Sequence, residues 1–112
     1  MSAEFTEVGA LGMLLSPELR GRLGWISDGY RPPETAYEAA QGEAHFSRGE
    51  RTMVAVALGL WNGSTWAVDV GALGQLDSAN LGRIGRCLCA LSEGGSLAMW
   101  AKAERRRERG TE

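Results

Sequence analysis

The sequence predicts an all-α fold: a single compact bundle of five or six helices around a buried central helix at about residues 47–62, with one short extended segment near 65–68. Three observations predict it. The stretch from Thr52 to Trp61 carries no charge and is framed by capping residues, and residues 78–92 repeat apolar side chains at helical spacing. The phrase VGALGMLLSPEL at 8–19 returns as VGALGQLDSANL at 70–81, and each copy reads as a short helix, a turn and a second helix. A chain of 112 residues, 44% apolar and 23% charged, has an ordinary globular composition and enough length for one real core. One domain spanning 1–112 is expected.

In chain order, the first phrase opens with Glu7 at the start of a helical turn, and Ser16 stands where it caps a second helix, with Pro17 at the favoured first position. Residues 32–41, PPETAYEAAQ, begin with proline, continue with good helix formers and stop at Gly42. Ser47 and Glu50 have the spacing of a capping box, Phe46 stands where a hydrophobic staple sits, and Asn62-Gly63 ends the run. A helix that is apolar on nearly every side belongs in the middle of a domain. STWAVD, from Ser64, reads as a few residues of extended chain. Asp69 opens the second phrase and Ser78 is suited to cap its second helix, in which Leu81, Ile84, Leu88 and Leu91 form the inward stripe and Gly94-Gly95 the stop. The last helix runs from about Ser96 to Arg109, and its basic end, 102–112, is expected to fray.

The two phrases agree at eight of twelve positions, and the echo continues with a one-residue slip as GRLG at 21–24 and GRIG at 82–85. Duplication and shared composition both account for this internal repeat, 8–24 against 70–85. Glycine in a helix costs roughly 1 kcal/mol relative to alanine, so Gly9, Gly12, Gly71 and Gly74 call for a packing reason. Ser78, Gly82, Gly85 and Cys89 form a second, small-residue stripe that admits a close neighbour.

Several chemistries are disfavoured. One histidine, His45, and two cysteines, Cys87 and Cys89, that diverge by roughly 200° on a helix do not make a zinc set or a disulfide; one of the two cysteines is expected in the core. The glycine phrases lack the spacing of phosphate loops, no G-x-S-x-G occurs, and no pair of carboxylates is nominated for acid and base work. No enzyme activity and no cofactor are expected. Without a run of eighteen apolar residues or a signal-like start, a cytoplasmic protein with no membrane contact is expected.

Net charge is −2, with an excess of four acids in residues 1–50 and of two bases in 51–112. The segment DVGALGQLDSANLGRIGRCLCALSEGG, from Asp69 to Gly95, resembles a helix-turn-helix, and the Gly-Gly stands where a wing begins. That resemblance implies a DNA-binding regulator reading bases with Asn80, Arg83 and Arg86, with Arg105 and Arg106 of the tail on phosphate. Only two bases decorate the reading helix, which is few for DNA affinity, and tail cations also simply complement a helix C-terminus.

The loop GWISDGYRPPETAY places Trp25, Tyr30, Arg31 and Tyr37 around a turn stiffened by two prolines, and these residue types dominate binding hot spots. Trp25 closing the bundle from within is the competing reading. The expected function is therefore a non-catalytic protein-binding module, a small adaptor or inhibitor, of the size class of phage or mobile-element accessory and counter-defence factors. The DNA-binding regulator is the alternative, and a homodimer through glycine-lined faces is compatible with either.

Overall fold

The computed structural model describes residues 5–42, 45–63 and 66–110. Seven α-helices and one 3-10 turn follow in order: α1 (Glu7–Leu11), the 3-10 turn Gly12–Leu14, α2 (Pro17–Leu23), α3 (Glu34–Ala40), α4 (Arg48–Trp61), α5 (Val70–Leu73), α6 (Ser78–Ser92) and α7 (Leu97–Gly110). The fold is an all-helical bundle, and no strand occurs among the described residues. Seven helices occur among the described residues, against the five or six expected, and two of them, α1 and α5, are single turns. The Cα radius of gyration is 13.1 Å. Of the expected extended segment, residues 66–68 have no regular structure, and Thr65 lies outside the described residues.

Local signals set the helix ends. Ser16 Oγ accepts from Leu19 N–H and Pro17 takes the first position of α2. Ser47 and Glu50 close a reciprocal capping box on α4, leaving fewer orphan donors in the first turn. The second phrase departs by one residue. Asp77, not Ser78, caps α6 by accepting from Asn80 N–H, because a carboxylate competes well for that position and complements the helix dipole. α6 therefore starts 61 residues after α2, the same offset that separates GRLG from GRIG.

α2 and α6 both end in Schellman motifs, with Gly24 (φ 75°) and Gly94 (φ 88°) in the left-handed region. Trp25 N–H bonds Arg20 C=O and Gly24 N–H bonds Gly21 C=O; Gly95 N–H bonds Ala90 C=O and Gly94 N–H bonds Leu91 C=O. Only glycine takes this conformation without steric cost.

The largest share of the core comes from residues 5–25, which contain the first copy of the phrase and pack on α4. Phe5, Val8, Ala10, Leu11, Met13, Leu14, Leu15, Leu19, Leu23 and Trp25 are all buried, so this segment supplies half of the buried apolar side chains among the described residues. α1 packs on α7 and α4, and the 3-10 turn on α6. α4 buries one face, Met53, Val54, Ala57 and Leu58, while Thr52, Ala55, Val56, Gly59 and Leu60 are half-buried and Trp61 is exposed. Its lack of charge overstated its enclosure: the other faces are only partly covered, Val56 and Leu60 packing at the edge of the core.

The glycines of the first phrase have the packing reason the sequence called for. A Cβ on Gly9 would lie 1.8 Å from the Ser27 carbonyl oxygen, and one on Gly12 would lie 2.5 Å from the Trp25 ring. Gly71 and Gly74 have no such neighbour; their nearest atoms stand at 3.5 Å. The small stripe of α6 admits no partner helix either, since Ser78, Gly85 and Cys89 are exposed and no atom lies within 4 Å of a Cβ built at Gly85.

Candidate functional site

Two surfaces come out of this architecture, and the loop between α2 and α3 is the first. Its base is fixed from within. Trp25 is 4% exposed, its ring lies against Gly12, and its Nε1–H donates to the Val8 carbonyl at 2.7 Å. Trp25 is therefore a core residue and not part of an outward aromatic face: the ring fills the space the glycines leave, and a buried indole N–H requires an acceptor. Thr6 clamps the far side. Its N–H donates to the Ser27 carbonyl at 3.1 Å and its hydroxyl donates to Gly29 C=O while capping α1 through Gly9 N–H. Thr35 closes the exit by donating to Leu23 C=O, and Pro32 is buried.

What remains outside is Ile26 at 60%, Tyr30 at 85%, and exposed Arg31. Tyr37 is not with them: it is half-buried on α3, its ring 6.0 Å from that of Trp66. The structure thus separates the four predicted residues. Tyr30 and Arg31 are presented, whereas Trp25 and Tyr37 support. Ile26 was missed by sequence reasoning, although its position between an anchored Trp25 and a turn forces it outward.

The second surface gathers α6 and α7. Arg86 pairs with Glu104 through Nε (2.7 Å) and Nη2 (3.1 Å), and the pair raises the Arg86 pKa above its ordinary value, chiefly by the side-chain hydrogen bond. Glu104 is buried, so this guanidinium compensates an interior charge at the edge of a cleft between the two helices. Arg83 Nη1 donates to Asn80 Oδ1 at 2.8 Å, and both side chains are half-buried. Arg105 lies over the Phe5 ring at 4.1 Å, a cation-π contact, and Arg106 is exposed. The five residues assigned to DNA reading are thus engaged mostly with one another and with the fold. The first helix of the supposed motif, α5, is a single turn, and Gly94-Gly95 leads into α7, where a wing was expected.

α6 is turned relative to the expected stripe. Ile84 and Cys87 are buried and Leu91 half-buried, but Leu81 and Leu88 are exposed. Cys87 therefore joins the core, where burial and the nearby Glu104 charge push its thiol up to about 11, and Cys89 is exposed. The tail, expected to fray, is helical through Gly110; Arg20 reaches from α2 to Glu108 while its other donors hold the Gly12 and Leu15 carbonyls at 3.0 Å. Thr111 and Glu112 lie outside the described residues.

Among the described residues, no three His, Cys, Asp or Glu side chains form a metal-binding group, and no helix is long and apolar enough to cross a membrane. No family model, no curated protein and no solved structure matches the chain. The class that fold and surfaces define is an all-helical bundle carrying one clamped loop and one arginine-rich cleft.

Proposed function

We propose that the protein is a non-catalytic binding module, an adaptor or inhibitor, that engages another protein through Ile26, Tyr30 and Arg31. One observation carries this reading: large side chains point outward from a loop whose backbone is tied to the core on both sides. A tied loop has already lost backbone freedom that binding would otherwise remove, worth about 1–2 kcal/mol per residue fixed. Tyrosine and arginine are the residue types that make such contacts count. The matching partner surface is a concave apolar pocket that accepts the Tyr30 ring and Ile26, with an acceptor at its rim for the Arg31 guanidinium.

The test is a paired capture experiment with immobilised protein. A partner retained by the native chain is lost with Tyr30→Ala and Ile26→Ser, whose melting temperature stays native because both side chains are solvated, and is kept with Val70→Ser on the opposite copy of the phrase. Equal retention by all three proteins removes the loop from consideration.

A further inference from the structure

We propose that the cleft between the first turns of α6 and the last turns of α7 binds a small oxyanion of the phosphate type, as inorganic phosphate or as a phosphomonoester. The cleft has a volume of about 320 Å³ and is lined by Ser78, Ala79, Arg83, Arg86, Glu104, Arg107 and Glu108. Its two carboxylates are already committed, Glu104 to Arg86 and Glu108 to Arg20. Its remaining cations are not. Arg83 bonds only the neutral Asn80 amide, and Arg107 has no carboxylate partner among the described residues.

Arg86 adds a third contribution. Glu104 takes its Nε and Nη2, while Nη1 lies over Gly82 with no acceptor among the described residues. Glu104 thus holds the Arg86 fork in place and leaves one donor edge unused. Planar guanidinium groups match phosphate oxygens two at a time, in a way a lysine ammonium does not. The exposed hydroxyl of Ser78, at the rim, supplies a neutral donor. The neighbouring cleft beyond Arg83 is larger, but Arg83 is the one cation among the described residues that line it and faces two carboxylates, Glu50 and Asp77. Three arginines face two carboxylates on the α7 side, so the charge balance favours an anion there.

The size of the cleft favours a single phosphoryl group over a polymer, because a duplex needs several phosphate contacts along a face. The test titrates the full chain with inorganic phosphate and, separately, with O-phosphoserine, following backbone amides by NMR at constant ionic strength. Saturable shifts at Ser78, Ala79, Arg83 and Arg107 are expected, with affinity falling by roughly tenfold or more in Arg83→Gln with Arg107→Gln. The pair Arg106→Gln with Arg109→Gln removes the same charge outside the cleft and leaves affinity unchanged. Tighter binding of O-phosphoserine than of phosphate identifies a phosphomonoester as the ligand, and the reverse order identifies the free ion.

Should the glutamine pair unfold, Arg83→Lys with Arg107→Lys keeps the charge and loses the fork, and weaker binding is again expected. Shifts that do not saturate, equal losses from both glutamine pairs, or native affinity in the lysine pair overturn the proposal. So does a short DNA duplex that binds more tightly than either phosphate and weakens equally with both glutamine pairs.

Discussion

The two copies of the phrase write nearly the same residues into opposite environments. Val8 is 2% exposed and Val70 is 79% exposed; every residue from Val8 to Leu15 is buried, and α5 buries none. The shared residues encode what is common to both, a capped turn of helix, a short connection and a second capped helix. Burial is decided elsewhere. Where the first copy has Met13 and Leu15, both in the core, the second has Gln75 and Asp77, both exposed. Two apolar-to-polar exchanges therefore separate the copy that founds the core from the copy that lies on it.

The largest effect that separates them is at Gly9. Alanine there would drive a methyl group into the Ser27 carbonyl, and backbone cannot rotate away as a side chain can. Gly9→Ala is expected to cost about 4 kcal/mol or more, much of the stability of an ordinary domain. The equivalent Gly71→Ala is exposed and unhindered, and is expected to stabilise by about 0.5–1 kcal/mol through helix propensity. Urea unfolding of the two variants measures both; similar losses would mean that the copies are not packed differently.

The aligned pair Leu14 and Leu76 gives the next contrast. Leu14 is fully buried and Leu76 only half-buried. Leu14→Ala is expected to lose about 3–5 kcal/mol, transfer and cavity terms combined, and Leu76→Ala about 1 kcal/mol. A loss at Leu76 as large as that at Leu14 would place the second copy in the core after all.

Most of the fold was legible before any coordinates. Caps, stops and helical spacing located the main helices, because these are interactions within one turn that a short window of sequence contains. The choice of inner face was less legible. On α6 the stripe Leu81, Ile84, Leu88, Leu91 and the stripe centred on Ile84 and Cys87 differ by roughly 50° of rotation, and only the neighbouring 3-10 turn and α7 select between them. At the candidate site, Tyr30 and Arg31 followed from the loop's composition. The inward turn of Trp25 depended on a distant pair of glycines, which no local pattern reports.

Beyond the glycine of GRLG and GRIG the copies diverge again. Trp25 aligns with Arg86, and each is held by a specific partner, Val8 C=O and Glu104 respectively. Arg86→Ala leaves the buried Glu104 carboxylate without its two hydrogen bonds and is expected to cost about 2 kcal/mol. Thermal unfolding checks this, and Glu104→Gln in the same background should recover part of the loss by removing the stranded charge.

The next residues exchange inside for outside: Ile26 is exposed and its counterpart Cys87 is buried. Because Cys87 keeps its proton to about pH 11 in the folded protein against 9.0 when solvated, the unfolded chain releases that proton first. Stability is full below pH 9 and falls as pH rises toward 11, by up to roughly 1.4 kcal/mol per pH unit. The slope should flatten in Cys87→Ala and persist in Cys89→Ala; if the two variants keep the same alkaline slope, another group is responsible.

The smallest contrast lies at the aligned glycines themselves. Gly24 ends α2 with φ at 75°, whereas Gly85 sits within α6, exposed, with no atom within 4 Å of a Cβ. Alanine at position 24 must adopt a left-handed conformation at a cost of about 1 kcal/mol. Alanine at position 85 should instead add about 0.5–1 kcal/mol. The opposite signs arise because Trp25 is drawn out of line into the core at the end of α2, while Cys87 is reached by continuing the helix. A helix stops at this glycine where the next anchor lies off its axis and runs on where the anchor lies along it; two alanine variants of the same sign in a melting experiment would refute that account.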